Sequence, residues 1–325
     1  MASIEARKPL SGARPRQRGV GRARVVEIQS TRIIVAMSEL VRERGAGGVT
    51  VAHVVQRSGV SRRTFYELFD DREDCFVAAF DAAIAAARER VLAAASSGGR
   101  WRERTRAALL ATLEFLDAEP DLGYLCVVGV LGGGQRALER RAAVLDSLVD
   151  AVHAARAEAR GAADLDRLVA EGVVGAVLSV IHVRLLERQV GRQPRPLVGL
   201  TNSLMGIVVL PYLGPAAAQR ESSKPAPRLS TPARPRHDPL RELDMRLTYR
   251  TVRVLLAIAS TPAASNRAIA AAAGIVDQGQ ISKLLARLQT LKLIEKTSGD
   301  HTRGEPNAWS LTPKGHDVTQ TIKSR

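Results

Sequence analysis

Between residues 50 and 69, TVAHVVQRSGVSRRTFYELF, apolar side chains recur at helical spacing in two short runs. Val51, Val54 and Val55 make one stripe, and Val60, Phe65 and Phe69 make the next. Thr50 stands where an N-cap hydroxyl would accept an orphan backbone N–H, and Ser61 stands in the same relation to the second run. Gly59 falls between them, where the chain must reverse and a positive φ costs a glycine nothing. The pattern predicts two short helices joined by a tight turn. Off the apolar stripe of the second helix lie Arg62, Arg63, Thr64 and Tyr66. Two guanidinium forks, a hydroxyl and a phenol on one exposed helix are what a recognition helix needs to meet phosphates and base edges in a major groove.

The same periodicity continues through residues 79–213. Phe80, Ile84, Ala87 and Val91 form one stripe, and Leu109, Leu110, Leu113 and Leu116 form another, which ends at Glu119-Pro120. Two closing segments, 165–189 and 197–212, are apolar around most of their circumference. Helices apolar all round must be buried, and a pair of them suggests a subunit interface, with Leu185 as a buried-face position. Prolines punctuate this pattern: none occurs between residues 16 and 119 or between 121 and 193, whereas seven of the fifteen fall between 211 and 239. Residues 214–239 therefore read as an extended, semi-rigid tether, and residues 1–24, with seven basic and one acidic side chain, read as a disordered basic arm.

Beyond the tether the pattern changes period. Leu247, Val252, Leu255, Leu256 and Ile258 open an amphipathic helix, and Ser265 caps a short one that holds Ile269, Ala270 and Ala273 and stops at Gly274. Residues 280–291 carry Ile281, Leu284, Leu285, Leu288 and Leu291 on one face and Gln280, Ser282, Lys283 and Arg287 on the other. Alternation at 293–297 and again at 308–311, on either side of a polar tip, predicts a β-hairpin. Helix-turn-helix followed by a hairpin is the order of a winged helix.

Two family resemblances follow from these residues. Arg32, Ile33, Ala36, Gly45, Thr50-Val51, Ser58-Gly59-Val60-Ser61, Thr64-Phe65-Tyr66, Phe69 and Arg72-Glu73 resemble the N-terminal DNA-binding domain of TetR-type transcriptional regulators. That resemblance implies a third helix in the major groove, with Tyr66 and Arg72 on phosphates; Arg72 keeps the charge of the lysine more usual there. Residues 79–213 also look like the ligand-binding and dimerisation block of such regulators, notably in their ending SLMGIVVLPYLGP. Residues 240–325 resemble MarR-type winged helices in LxxLxxLKLIEK and in Leu311-Thr312-Pro313-Lys314-Gly315. This second likeness implies a recognition helix at 280–291 and a wing bearing His301 and Arg303. The expected fold class is all-α, a helix-turn-helix domain at 25–78 and a helical domain at 79–213, with a winged helix at 240–325 adding the hairpin.

Charge sharpens the partner. The net +15 is carried as +5 by residues 1–78, +1 by 79–213, +3 by 214–239 and +6 by 240–325, so the positive ends flank a neutral middle, as for two modules that meet a polyanion. Two cysteines are too few for a disulfide framework or a thiolate zinc site. The longest nearly apolar run, Gly172 to Val183, falls short of the ~18–20 residues that span a bilayer, so a cytoplasmic protein without membrane partners is expected. His153 and His182 lack metal-spaced partners, and Gly132-Gly133-Gly134 lacks the Lys-Ser/Thr of a phosphate loop and reads as a turn between helices. No Ser-His-Asp or paired-carboxylate pattern points to an enzyme, and no cofactor is expected. Trp101, Tyr124 and Cys126 are candidates to line a mainly aliphatic cavity for a small apolar effector. The expected function is a homodimeric repressor on a double-stranded DNA operator. The alternatives are an architectural DNA-binding protein without an effector, and a regulator whose winged helix docks a protein.

Overall fold

The structure, a computed structural model, describes residues 19–96, 99–157, 165–191, 195–227, 249–297 and 308–324. It forms two compact units: Thr31–His237, and a discontinuous one made of Met1–Ser30 with Asp238–Arg325.

The larger unit is helical throughout its described residues. It takes α1 (Gly19–Arg44) from Thr31 onward, then α2 (Val51–Ser58), α3 (Arg62–Leu68), α4 (Arg72–Ala95), α5 (Trp101–Ala118), α6 (Pro120–Val127), α7 (Gln135–His153), α8 (Arg167–Gln189) and α9 (Thr201–Ser222). The breaks sit where the chemistry puts them. Glu119 ends α5, and Pro120 opens α6 at a position whose N–H would have no partner anyway. Asp71 caps α4 through Asp74 N at 2.8 Å, and Asp166 caps α8 through Leu168 N at 2.8 Å. One apolar core gathers Ile33, Met37, Leu40, Val54, Phe65, Phe76 and Phe80 with Leu125 and Val130. Others lie among Trp101, Val173, Met205, Val208 and Tyr212, and among Leu113, Phe115, Ile181, Leu185 and Leu204.

Helix α9 runs ten residues past Tyr212, into the segment expected as a tether. It kinks at Gly214 (φ 76°, ψ 176°), and Pro215 begins a second limb. That limb is anchored: Ala217 is buried, and the fully buried Glu221 carboxylate meets Arg106 at 2.9 Å, Arg102 at 3.4 Å and Lys224 at 2.8 Å. Asn202 Nδ2 donates to the Lys224 carbonyl at 2.6 Å and holds the limb's end. A run rich in proline can be pinned in this way when a buried carboxylate finds three cations; composition alone does not foresee that. Residues 228–239 of the expected tether lie outside the described residues.

The second unit contains α10 (Tyr249–Ser260), β1 (Ala264–Ser265), α11 (Asn266–Ala273), α12 (Gln278–Thr290), β2 (Ile294–Lys296), β3 (Ala308–Leu311) and α13 (Pro313–Ser324). Its strands form a three-stranded antiparallel sheet in the order β1-β3-β2, with Ile294 opposite Leu311 and Ala264 opposite Trp309. The hairpin strands fall at the alternating stretches, while β1 and α13 were not foreseen. A two-residue strand is too short to show alternation, so only its pairing with β3 reveals β1. Ser265 caps α11 through Ala268 N at 3.3 Å, and Gly274 (φ 62°) ends that helix. Leu247, expected in the opening helix, lies outside the described residues.

This unit also takes the first turns of α1. Val25 (4% exposed) and Ile28 (fully buried) pack in one core with Val252, Leu255, Ile258, Ile269, Leu285, Trp309 and Ile322. Helix therefore begins at Gly19, inside the expected arm, while residues 1–18 lie outside the described residues. By length and composition alone, Arg167–Gln189 and Leu197–Ser222 are each long and apolar enough to cross a bilayer, unlike the shorter run Gly172 to Val183. Both bury residues inside the larger unit: Val173, Ile181 and Leu185 from the first, Leu204, Met205 and Tyr212 from the second.

Candidate nucleic-acid interface

The α2-turn-α3 segment is fixed from inside by aromatic packing. Phe65 is fully buried, its ring centroid 5.6 Å from Phe69 and 5.4 Å from Tyr66, the latter edge-on. Val54 and Val60 complete the floor. Both predicted caps form: His53 N donates to Thr50 Oγ1 at 3.3 Å, and Thr64 N donates to Ser61 Oγ at 3.0 Å. His53 Nδ1 in turn accepts from Thr50 N at 3.3 Å, a reciprocal cap that sequence reading missed because histidine replaces the usual Glu or Gln. Gly59 holds φ 64°, the left-handed conformation that the turn requires.

With the floor fixed, the outward side chains of α3 share one surface. Arg62 and Arg63 are exposed, Tyr66 is half exposed, and Thr64 is partly covered. Arg62 lies 5.9 Å from the Tyr66 ring centroid, and Arg63 Nε bonds Glu67 at 2.9 Å across one helical turn. That ion pair is open to solvent and weak, so a phosphate or guanine edge can replace Glu67 at small cost. The Thr64 hydroxyl is 2.8 Å from Ser61 Oγ, and Thr50 is exposed at the start of α2. Arg57 is committed elsewhere: its guanidinium bonds Glu43 at 2.7 and 2.8 Å and Glu39 at 3.3 Å, tying α2 to α1. The Arg57 hydrogen bonds hold the Glu43 carboxyl below its usual range.

Arg72, which the resemblance implied as a phosphate contact, is hydrogen-bonded within its own unit. Its Nη1 donates to the Ala46 carbonyl at 3.0 Å and its Nη2 to the Gly133 carbonyl at 3.3 Å.

In the second unit, Gln280, Ser282, Lys283 and Arg287 are all exposed on α12, above the buried Ile281, Leu285 and Leu288. Asp277 caps this helix through Gly279 N at 2.7 Å and Gln280 N at 3.1 Å, and Arg250 donates to Gln280 Oε1 at 2.7 Å. On the hairpin, Lys296 lies 5.8 Å from the Trp309 ring centroid. His301 and Arg303 lie outside the described residues.

The three candidate effector-site residues do not converge. Trp101 packs on Tyr212 with ring centroids 5.4 Å apart, whereas Tyr124 and Cys126 pack against the core of α1–α4. Among the described residues no group of histidine, cysteine and carboxylate side chains could hold a metal ion. Cys75 is fully buried, and burial pushes its thiol up to about 12, so it offers no thiolate at neutral pH.

Residues 33–79 match the family model described as bacterial regulatory proteins, tetR family. No curated protein matches the chain. Among solved structures, the transcriptional regulator FadR from Bacillus subtilis in complex with stearoyl-CoA is 18% identical (TM-score 0.48), over 55% of this chain and 97% of that one. The fatty acid degradation regulator FadR from Bacillus halodurans is 15% identical (TM-score 0.49), again over 55% and 97%.

Proposed function

We propose that this chain is a cytoplasmic transcriptional regulator that reads an operator in duplex DNA as a homodimer, with α3 as its recognition helix. One observation carries the reading. Arg62, Arg63 and Tyr66 project from a helix whose opposite side is locked by Phe65 and Phe69, inside a segment that matches the tetR-family domain. Rigid support beneath exposed arginines is what base readout requires, because a loose helix would spend binding energy on ordering. Two copies would present their helices to half-sites about 34–36 Å apart, or a multiple of that. Selection of bound duplexes from a random pool by the full chain tests this. A palindromic motif is expected; salt-dependent retention without any enriched sequence would instead make the chain an architectural DNA-binding protein.

The dimer reading rests on α8 and α9, which pack on each other and leave Val183, Leu186, Ile207, Leu210 and Leu213 exposed. Leu185, the position expected in the interface, belongs to the subunit's own core, so a charge there would test folding and not assembly. Leu210→Glu, at a 47% exposed site, is expected to give a folded monomer by sedimentation. A variant that stays dimeric at micromolar concentration would move the interface elsewhere.

We read the second unit as a winged helix that adds a DNA contact through Gln280, Ser282, Lys283 and Arg287. Lys283→Ala with Arg287→Ala in the full chain should shorten the protected footprint and lower the salt slope by roughly 0.9 for each phosphate no longer neutralised. An unchanged footprint and slope would make this unit a protein-docking module. The neutral, aliphatic helical domain suits a small apolar effector that shifts the spacing of the readers and so releases or engages the operator.

A further inference from the structure

The glycine-rich turn before α7 has no part in the reading above, yet it is built against the DNA-reading helices. Val130 is fully buried in the core that holds Ile33, Phe65 and Phe76. A side chain on Gly133 would strike the Phe76 ring at 2.6 Å and Ala137 at 2.8 Å. Gly134, at φ 116°, leaves room only for the Glu73 carboxylate. That carboxylate accepts from Arg136 N at 2.6 Å, and the Arg136 guanidinium grips Asp71 at 2.5 and 2.6 Å. Between these ion pairs stands Arg72, with one Nη on the Ala46 carbonyl just ahead of α2 and the other on the Gly133 carbonyl.

We infer that Arg72 is a positioning residue, a brace that joins the turn before α2 to residues 133–136 and so sets the pose of α2 and α3. Three points support a brace over a phosphate contact. Its two outer nitrogens each have a carbonyl partner, and a guanidinium fork can span two acceptors that one ammonium would reach singly. Its neighbours Asp71 and Glu73 are engaged by Arg136, so the start of α4 is stitched to the start of α7 at several atoms. Finally, glycine at 133 and 134 is what permits the close approach. The Asp71 carboxyl is held below its usual range by the Asp74 backbone N–H, and further by Arg136. A depressed carboxyl contributes stability above its unfolded pKa, so the stitching is complete at neutral pH and loosens only as acid protonates Asp71.

The inference rests on the DNA-binding reading for its consequence, though the brace itself can be measured without DNA. In the free full-length protein, Arg72→Ala should speed amide exchange at residues 46–48 and 133–136 by roughly tenfold or more, as expected when a charged hydrogen bond is removed. Unchanged exchange would overturn the brace whatever the protein binds. On a selected operator, Arg72→Ala and Arg136→Ala should each lower affinity by about tenfold, the double variant should be little worse than either, and the salt slope should stay at the wild-type value. Arg72→Lys, which keeps the charge but not the fork, should resemble Arg72→Ala. A slope reduced by about 0.9, with Arg72→Lys near wild type and Arg136→Ala silent, would make Arg72 a phosphate contact and sink the proposal. If no variant, wild type included, selects a sequence, the DNA reading fails and the exchange result alone decides the brace.

Discussion

Replacing Arg62 and Arg63 together with alanine should reduce operator affinity more than any other change on the surface of α3. Each guanidinium that makes a bidentate guanine contact contributes about 1–3 kcal/mol of discrimination, so the pair accounts for roughly one and a half to four orders of magnitude where both read bases. The loss should be larger on operator than on random duplex, and preference should relax at the contacted base pairs. Tyr66→Phe should behave differently, weakening all sequences evenly, as removal of a phosphate contact does. Structural side effects should be small, because both arginines are exposed and the ion pair removed, to Glu67, is open to solvent. Gel-shift titration on operator and scrambled duplex measures both quantities. Operator affinity unchanged in the double variant would remove α3 from the reading.

Ile28→Asp should unfold the C-terminal unit although residue 28 is more than 200 positions from its strands. The side chain is fully buried among residues of α10, α12 and β3, and an unpaired carboxylate there costs several kcal/mol, on the order of 3–5. Val26→Asp, two residues away on the opposite side of α1 and 42% exposed, is the matched control and should cost little. Calorimetry of the full chain should show the loss of one transition in Ile28→Asp only. Retention of both transitions would mean that the α1 segment is not part of that core. A fragment of residues 240–325 should likewise be destabilised, since it lacks Val25 and Ile28 and leaves their docking site open to water.

Much of the candidate DNA-reading surface could be read from residue order. Capping, the glycine turn and the apolar stripe of α2 and α3 are interactions between residues fewer than ten positions apart, so Thr50, Gly59, Ser61 and Phe65 announce their roles locally. The same holds for Ser265, Gly274 and the hydrophobic face of α12. Interactions across long loops leave no such mark. Nothing near Arg72 says that its fork closes on Ala46 and Gly133, and nothing near Leu185 tells an intrasubunit core from an interface.

Composition misled where a few long-range contacts override it. The proline-rich stretch after Tyr212 reads as tether, yet Glu221 finds Arg102 and Arg106 more than 100 residues away and pins it. Residues 25–78 read as one helix-turn-helix domain, yet Val25 and Ile28 at its start belong to the core of the C-terminal unit. By itself, then, the order of residues determined the helices, their caps and the outward chemistry of the two candidate recognition helices, because these depend on spacing within a few turns. Only the tertiary structure decided which segments share a core, which arginines are committed and where the units divide, because burial and ion pairing are settled by residues that the chain brings together from far apart.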